Sequence, residues 1–203
     1  MAPGALADEA GRAELLRAIV ETTRSVFAAQ ACSIMRHDGA TNELVFEAVA
    51  GRGAGRLVGE RIPAGTGLAG WSLASEEPIA IADVSRDPRF ARDVAEGTGY
   101  VPTSIIVYPL LSGERSLGVL NVLDQSTGAQ VGIADMDVLA RIAAHAAIVL
   151  ALVQDARDLE RASGTGAPAA RLERALAGAD PARREAALEV MAALERLLTA
   201  EPG

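Results

Sequence analysis

Lysine is absent: all 19 basic residues of this 203-residue chain are arginines. That excludes Schiff-base chemistry and the phosphate-binding lysine of P-loop enzymes. The only cysteine, Cys32, allows no intrachain disulfide, no Cys-x-x-Cys redox pair and no cysteine-built zinc site. Two histidines, His37 and His145, stand far apart, which argues against a histidine-built metal centre. Aromatics make up 3% of the residues although half are hydrophobic. Close-packed, alanine-rich helices are expected rather than a large aromatic pocket. No uninterrupted apolar run approaches the ~18 residues that span a bilayer. The N-terminal MAPGALADEAGR has no basic stretch ahead of an apolar one. A cytoplasmic chain without membrane contact is expected. The net charge of −8 opposes phosphate backbones, so no nucleic-acid partner is expected either.

The apolar positions that are present set out an order of elements. Leu15, Leu16, Ile19, Val20, Val26 and Phe27 recur at helical spacing within 12–30. Residues 31–37 and 43–50 read as strands around an Asp38-Gly39 turn, with Leu44, Phe46 and Ala48 expected on one face. A short polar strand at 56–62 precedes a glycine-rich turn and a short helix containing Trp71. Further strands are expected at 79–83, 103–111 and 115–125, the last two as a hairpin. A long helix follows from Asp135 to about Arg161, with Met136, Leu139, Ile142, Ala143, Ala146, Val149, Leu150 and Val153 along one stripe. Residues 161–169 read as a linker and 170–203 as a helical extension, in which Asp180 and Pro181 form a start signal. Chemistry is therefore expected in one α+β domain, 12–160.

Gly65, Gly67 and Gly70 have the G-x-G-x-x-G spacing of a dinucleotide cradle. Their context argues otherwise. The preceding strand holds Arg56, Gly59, Glu60 and Arg61, unlike a central parallel strand buried on both faces. Only about two helical turns fit between Gly70 and Pro78, less than a parallel crossover usually needs. The glycines are read instead as a tight, close-packed entry into a short helix.

The run GTGLAGWSLASEEPIAIADVSRDPRF resembles the middle of a GAF domain, a small-molecule-binding sensor module. SIIVYPLLSGERSLGVLNVLDQ, with the long helix from Asp135, resembles its last hairpin and closing helix. The resemblance implies a PAS-related antiparallel sheet of five or six strands. Helices from both ends of the domain would pack on one face, and a ligand cavity would lie on the other. It further implies a homodimer formed through the terminal helices, with a separate signalling protein as a possible second partner. The extension would contribute Leu188, Met191, Leu194, Leu197 and Leu198 as an apolar stripe. Of the Asn-Lys-Phe-Asp-Glu signature of cyclic-nucleotide-binding members, only Asn121 and Asp135 stand in place; Val122, Val131 and Met136 occupy the rest. The reductases of this fold need several cysteines, which one Cys32 does not supply.

The resemblance puts the cavity under the 84–102 segment, long for a loop in a compact domain. Trp71, Phe90, Tyr100 and Tyr108 fall in or around it and would either line a pocket or plug a small core. Asp83 would contact a ligand or cap the following turn, and Asp87 before Pro88 reads as turn initiation. Arg89 and Arg92 would meet an anion or remain solvated. Ser104 and Asn121, polar residues on strands, would orient a ligand. No Ser/His/Asp group, metal spacing or cysteine pair points to catalysis. A non-enzymatic sensor is therefore expected, with a reductase or hydrolase in the same cavity, or a ligand-free docking module, as alternatives. The sequence names neither ligand nor cofactor.

Overall fold

The computed structural model of the chain describes residues 9–125 and 131–162. The chain divides into two compact units, Met1–Asp155 and Ala156–Gly203. The expected extension with its stripe from Leu188 to Leu198, and all but the first residues of the expected linker, lie outside the described residues.

Helix α1 spans Glu9–Val26 and is followed by strands β1 (Ala29–Asp38), β2 (Glu43–Gly51) and β3 (Arg61–Pro63). Helix α2 (Gly67–Ser75), β4 (Ile79–Ile81), a 3-10 turn at Val84–Arg86 and helix α3 (Arg92–Thr98) come next. The hairpin β5 (Ile105–Ser112) and β6 (Arg115–Gln125) and helix α4 (Ile133–Ala162) complete the order. The six strands form one sheet in the order β3-β2-β1-β6-β5-β4, with every neighbouring pair antiparallel.

Helix α1 starts and ends earlier than the 12–30 its apolar spacing predicts. Ala28 takes a positive φ of 45° and ends the helix, and Ala29 and Ala31 already pair with Gln125 and Leu123 of β6. The ladder bonds of a central strand outcompete one more helical turn here.

One face of the sheet is covered by helices. Leu16 and Val20 of α1 and Leu139, Ala143, Ala146 and Leu150 of α4 pack with Ile34, Ile106, Leu120 and Val122. The alanines of α4 let the helix lie close to the sheet, and each buried Leu or Val contributes roughly 1.5–3 kcal/mol. Gln154 Nε2 fastens the end of this contact by donating to the carbonyls of His37 (2.9 Å) and Leu117 (3.2 Å). Within Ile133–Asp158 an 18-residue window has a mean hydropathy of 1.9, so this helix is long and apolar enough by composition to cross a membrane. Arg141 and His145 interrupt it, so no continuous apolar run announces it in the sequence. Its buried face on the sheet is that of a core helix.

The opposite face carries a second core, with Met35, Leu44, Phe46, Leu68, Leu73, Val107 and Val119. Strand β2 contributes to both cores, as β1, β5 and β6 do, but a bulge changes which of its residues share a face. Ile34 pairs with Ala48 and Met35 with Phe46, leaving Glu47 as an extra residue between them. Phe46 and Ala48 therefore point to opposite faces, not to the same face as simple alternation predicts. The bulge also brings Glu47 to Arg36, whose Nε donates to its carboxylate at 2.7 Å. Asp38 Oδ2 lies 3.7 Å from the same guanidinium, and Arg61 bonds Glu43 at 2.8 Å at the rim of this cluster.

Candidate functional site

The glycine corner places the site's first wall. Strand β3 is only three residues long and lies antiparallel at the sheet edge. Gly67 opens α2 with a φ of +64°, a region that L side chains rarely adopt. A Cβ on Gly70 would stand 2.4 Å from the backbone carbon of Gly65 and 2.5 Å from the oxygen of Ala64. Gly67 and Gly70 thus let the chain fold back on itself at the sheet edge, whereas a Cβ on Gly65 would meet open space. Thr66, Gly67, Leu68 and Ala69 then face a cavity of about 120 Å³.

The floor of that cavity is the open face of the central strands, with Ser33, Met35, Phe46, Ile105, Asn121 and Leu123 among its residues. Its roof is the segment after the 3-10 turn, through Phe90, Val94, Ala95, Thr98, Tyr100 and Pro102. Arg52 is the one charged residue among those lining it, and it is exposed at the mouth. A larger open hollow of about 770 Å³ lies between α1 and β2, but Glu14, Arg17, Glu21 and Arg24 give it a mixed, solvated charge.

Polar groups in and around the cavity are few and mostly paired. Asn121 Nδ2 donates to Ser33 Oγ at 3.1 Å, both residues being buried on adjacent strands in register. The Tyr100 hydroxyl donates to Asp124, whose other oxygen accepts from the backbone amides of Thr103 and Ser104, each at 2.8 Å. The guanidinium of Arg52 stacks over the Tyr100 ring, 5.2 Å from its centre. Burial, then the bond to the Asp124 carboxylate, pushes the Tyr100 hydroxyl up to about 12. Burial likewise pushes the Cys32 thiol up to about 12, outweighing the opposing effects of Thr23 and Arg24. The Cys32 side chain belongs to the helix-facing core and holds its proton. No group of three or more potential metal-ligating residues occurs among the described residues.

The expected contact residues separate into two groups. Phe90, Tyr100 and Asn121 line the cavity together. Trp71, Asp83, Ser104 and Tyr108 do not line it. Trp71 packs against Arg89, whose guanidinium lies 4.7 Å from its ring centre while bonding Asp87 at 2.7 and 3.0 Å. Asp83 caps the 3-10 turn by accepting from the amide and hydroxyl of Ser85, and these bonds hold its carboxyl below the usual range. Arg89 holds the Asp87 carboxyl down in the same way. Ser104 is engaged through its backbone amide with Asp124. Tyr108 lies against the helix-side core because it shares a face with Ile106 and Leu110, whereas Ile105 and Val107 face the other way. In the wholly apolar run IIVYPLL no polar residue marks which phase faces the helices, so the sequence leaves that choice open.

Asp124, Arg52 and Ser33 escaped the sequence reading. Asp124 is 24 positions from Tyr100, and only strand pairing brings them together. Ser33 is marked as polar on an apolar strand, a signal that gains meaning once Asn121 is seen opposite it.

The sequence of residues 11–150 matches the GAF domain family over most of the described chain. The chain belongs to the GAF domain family. This family comprises sensor and regulatory modules. The GAF domain of an Acinetobacter phosphoenolpyruvate-protein phosphotransferase superposes with a TM-score of 0.63 at 20% identity, covering 72% of this chain and 86% of that one. The corresponding domain from Coxiella burnetii gives 0.63 at 23% identity, covering 72% and 84%. Free methionine-R-sulfoxide reductase from Neisseria meningitidis, solved with its substrate, gives 0.59 at 24%, covering 74% and 84%. These likenesses concern the fold. In sequence, this GAF domain is 22% identical over 90 residues to the cone cGMP-specific 3',5'-cyclic phosphodiesterase subunit alpha' of Mus musculus, spanning 44% of this chain and 10% of that protein's length.

Proposed function

We propose that this GAF domain is a non-enzymatic, cytoplasmic sensor. It holds a small molecule in the cavity beneath the 84–102 segment and reports occupancy through its terminal helices. The carrying observation is that the two central strands serve both faces. Strands β1 and β6 supply Ser33 and Asn121 to the cavity floor, and Ile34, Leu120 and Val122 to the core against α1 and α4; Cys32 belongs to that core and also borders the cavity. Close-packed interiors transmit small displacements, so movement of the floor is felt by the helices. The buried, protonated state of Cys32 supports a sensor over a thiol-based reductase. The cyclic-nucleotide specificity in the phosphodiesterase's name is not carried over, since most of the signature is replaced here and no buried cation lines the cavity.

The reporting surface we assign to a homodimer. Val138, Ile148 and Leu152 are exposed apolar residues of α4, and Val26 is one at the end of α1. A separate signalling protein is the alternative recipient. Native mass spectrometry of freshly purified protein should give a species heavier than the 20.9 kDa protomer by one small molecule. A thermal-shift screen should find compounds that stabilise the fold. A bare mass together with a screen that finds none would sink the sensor reading and favour a docking module.

A further inference from the structure

Asn121 is 4% exposed and lines the cavity, yet its Oδ1 has no hydrogen-bond partner. Its Nδ2 is occupied by Ser33 Oγ, so the carbonyl end of the amide is the free one. A buried acceptor left unpaired is costly, and native interiors seldom carry one without a reason. The walls around it are mostly apolar, with Met35, Phe46, Leu68 and Phe90. Tyr100 and Thr98 already donate their hydroxyl protons to Asp124 and to the Ala95 carbonyl, and the hydroxyls of Ser33, beside the amide, and of Thr66, at the glycine corner, are the other polar groups. The volume, about 120 Å³, is well below the ~300 Å³ at which drug-sized pockets begin. It is close to the ~150 Å³ of a cavity known to admit benzene. The only lining charge, Arg52, is exposed at the mouth and stacked on Tyr100, so a buried ionic group on a ligand would have no counter-charge.

Resting on the sensor reading above, we propose that the ligand is a small neutral molecule with an apolar body of about ring size and one hydrogen-bond donor, which it gives to Asn121 Oδ1. The phenol class fits this description; anions and nucleotides do not. The amide reads the donor and the apolar walls read the size.

The test uses the full chain and four probes: phenol, toluene, anisole and benzoate, at millimolar concentration by ligand-observed NMR and thermal shift. Phenol should bind about tenfold or more tighter than toluene, which has the same shape and no donor. Anisole, an acceptor only, should bind no better than toluene, and benzoate should be excluded. The near-isosteric Asn121→Leu should remove the preference for phenol while still admitting toluene. Equal binding of phenol and toluene, or tighter binding of anisole or benzoate, would overturn the ligand class and leave the cavity as a binding site. Failure of all four to bind would overturn the cavity reading itself. The probe series on the unmodified chain decides between these outcomes even if the variant does not fold.

Discussion

Tyr100 joins three parts of the cavity wall. Its ring lies under Arg52 from the end of β2, its hydroxyl bonds Asp124 at the end of β6, and its backbone belongs to the roof. Asp124 holds the other end of the same connection by accepting two backbone amides just before β5. Tyr100→Phe should therefore loosen the roof while leaving the sheet intact. Its effect should also depend on pH. The phenol's value is raised from 10.0 to about 12 in the folded chain, so the folded state holds the proton more tightly than the unfolded one. The resulting stabilisation is complete below about pH 10 and is lost as pH rises toward 12. Cys32, raised from 9.0 to about 12, contributes a loss of the same sign over an overlapping range. Urea unfolding at a series of pH values should show a shallower alkaline loss in Tyr100→Phe, with the Cys32 component remaining. An unchanged slope would show that the Tyr100–Asp124 bond does not contribute. The amide of Asn121 and the hydroxyl of Ser33 were legible only as polar residues on strands. Their pairing required the register of β1 on β6.

At the scale of elements, the glycine-rich corner has the clearest consequence. Gly70 is a packing residue, because any side chain there meets the backbone of Ala64 and Gly65. Gly70→Ala should destabilise the fold by about 1–3 kcal/mol, through forced displacement of the corner. Denaturant unfolding would register this as a lower midpoint with an unchanged slope. A neutral substitution would mean that the corner yields freely, which its contacts argue against. The same close approach explains why a nucleotide fingerprint can occur without a nucleotide site: the spacing records what the backbone needs, and the strand before it decides what the turn can bind. The hairpin at β5 and β6 and the long closing helix were readable from turn residues and period. The β2 bulge was not, since Glu47 looks like an ordinary outward-facing strand residue until Arg36 is placed beside it.

At the scale of the whole molecule, the sheet divides the domain into a helix-covered side and a cavity side. The helix side is filled by leucine, valine and alanine, whereas the cavity side leaves room under its roof. The apolar residues exposed on α4 fit burial against a second copy. Light scattering on the purified chain should therefore give twice the protomer mass, and Ile148→Glu should lower it toward 20.9 kDa. A mass of one protomer for the unmodified chain, independent of concentration, would remove the dimer from the proposal.

The sequence by itself determined the class of fold and the order of its elements. Helical and strand periods, the Asp-Gly turn and the motif runs of a GAF domain depend on local spacing, and local spacing survives in one dimension. It also determined, through one cysteine and no lysine, which chemistries were excluded. The tertiary structure decided which side of each apolar strand faces the helices, because a run such as IIVYPLL is hydrophobic in both phases. It placed Tyr108 on the helix side, assigned Trp71 and Asp83 to local contacts, and brought Tyr100 to Asp124 and Ser33 to Asn121. The Tyr100–Asp124 and Ser33–Asn121 pairings are long-range and set by strand register, and in β2 a single extra residue puts Phe46 and Ala48 on opposite faces.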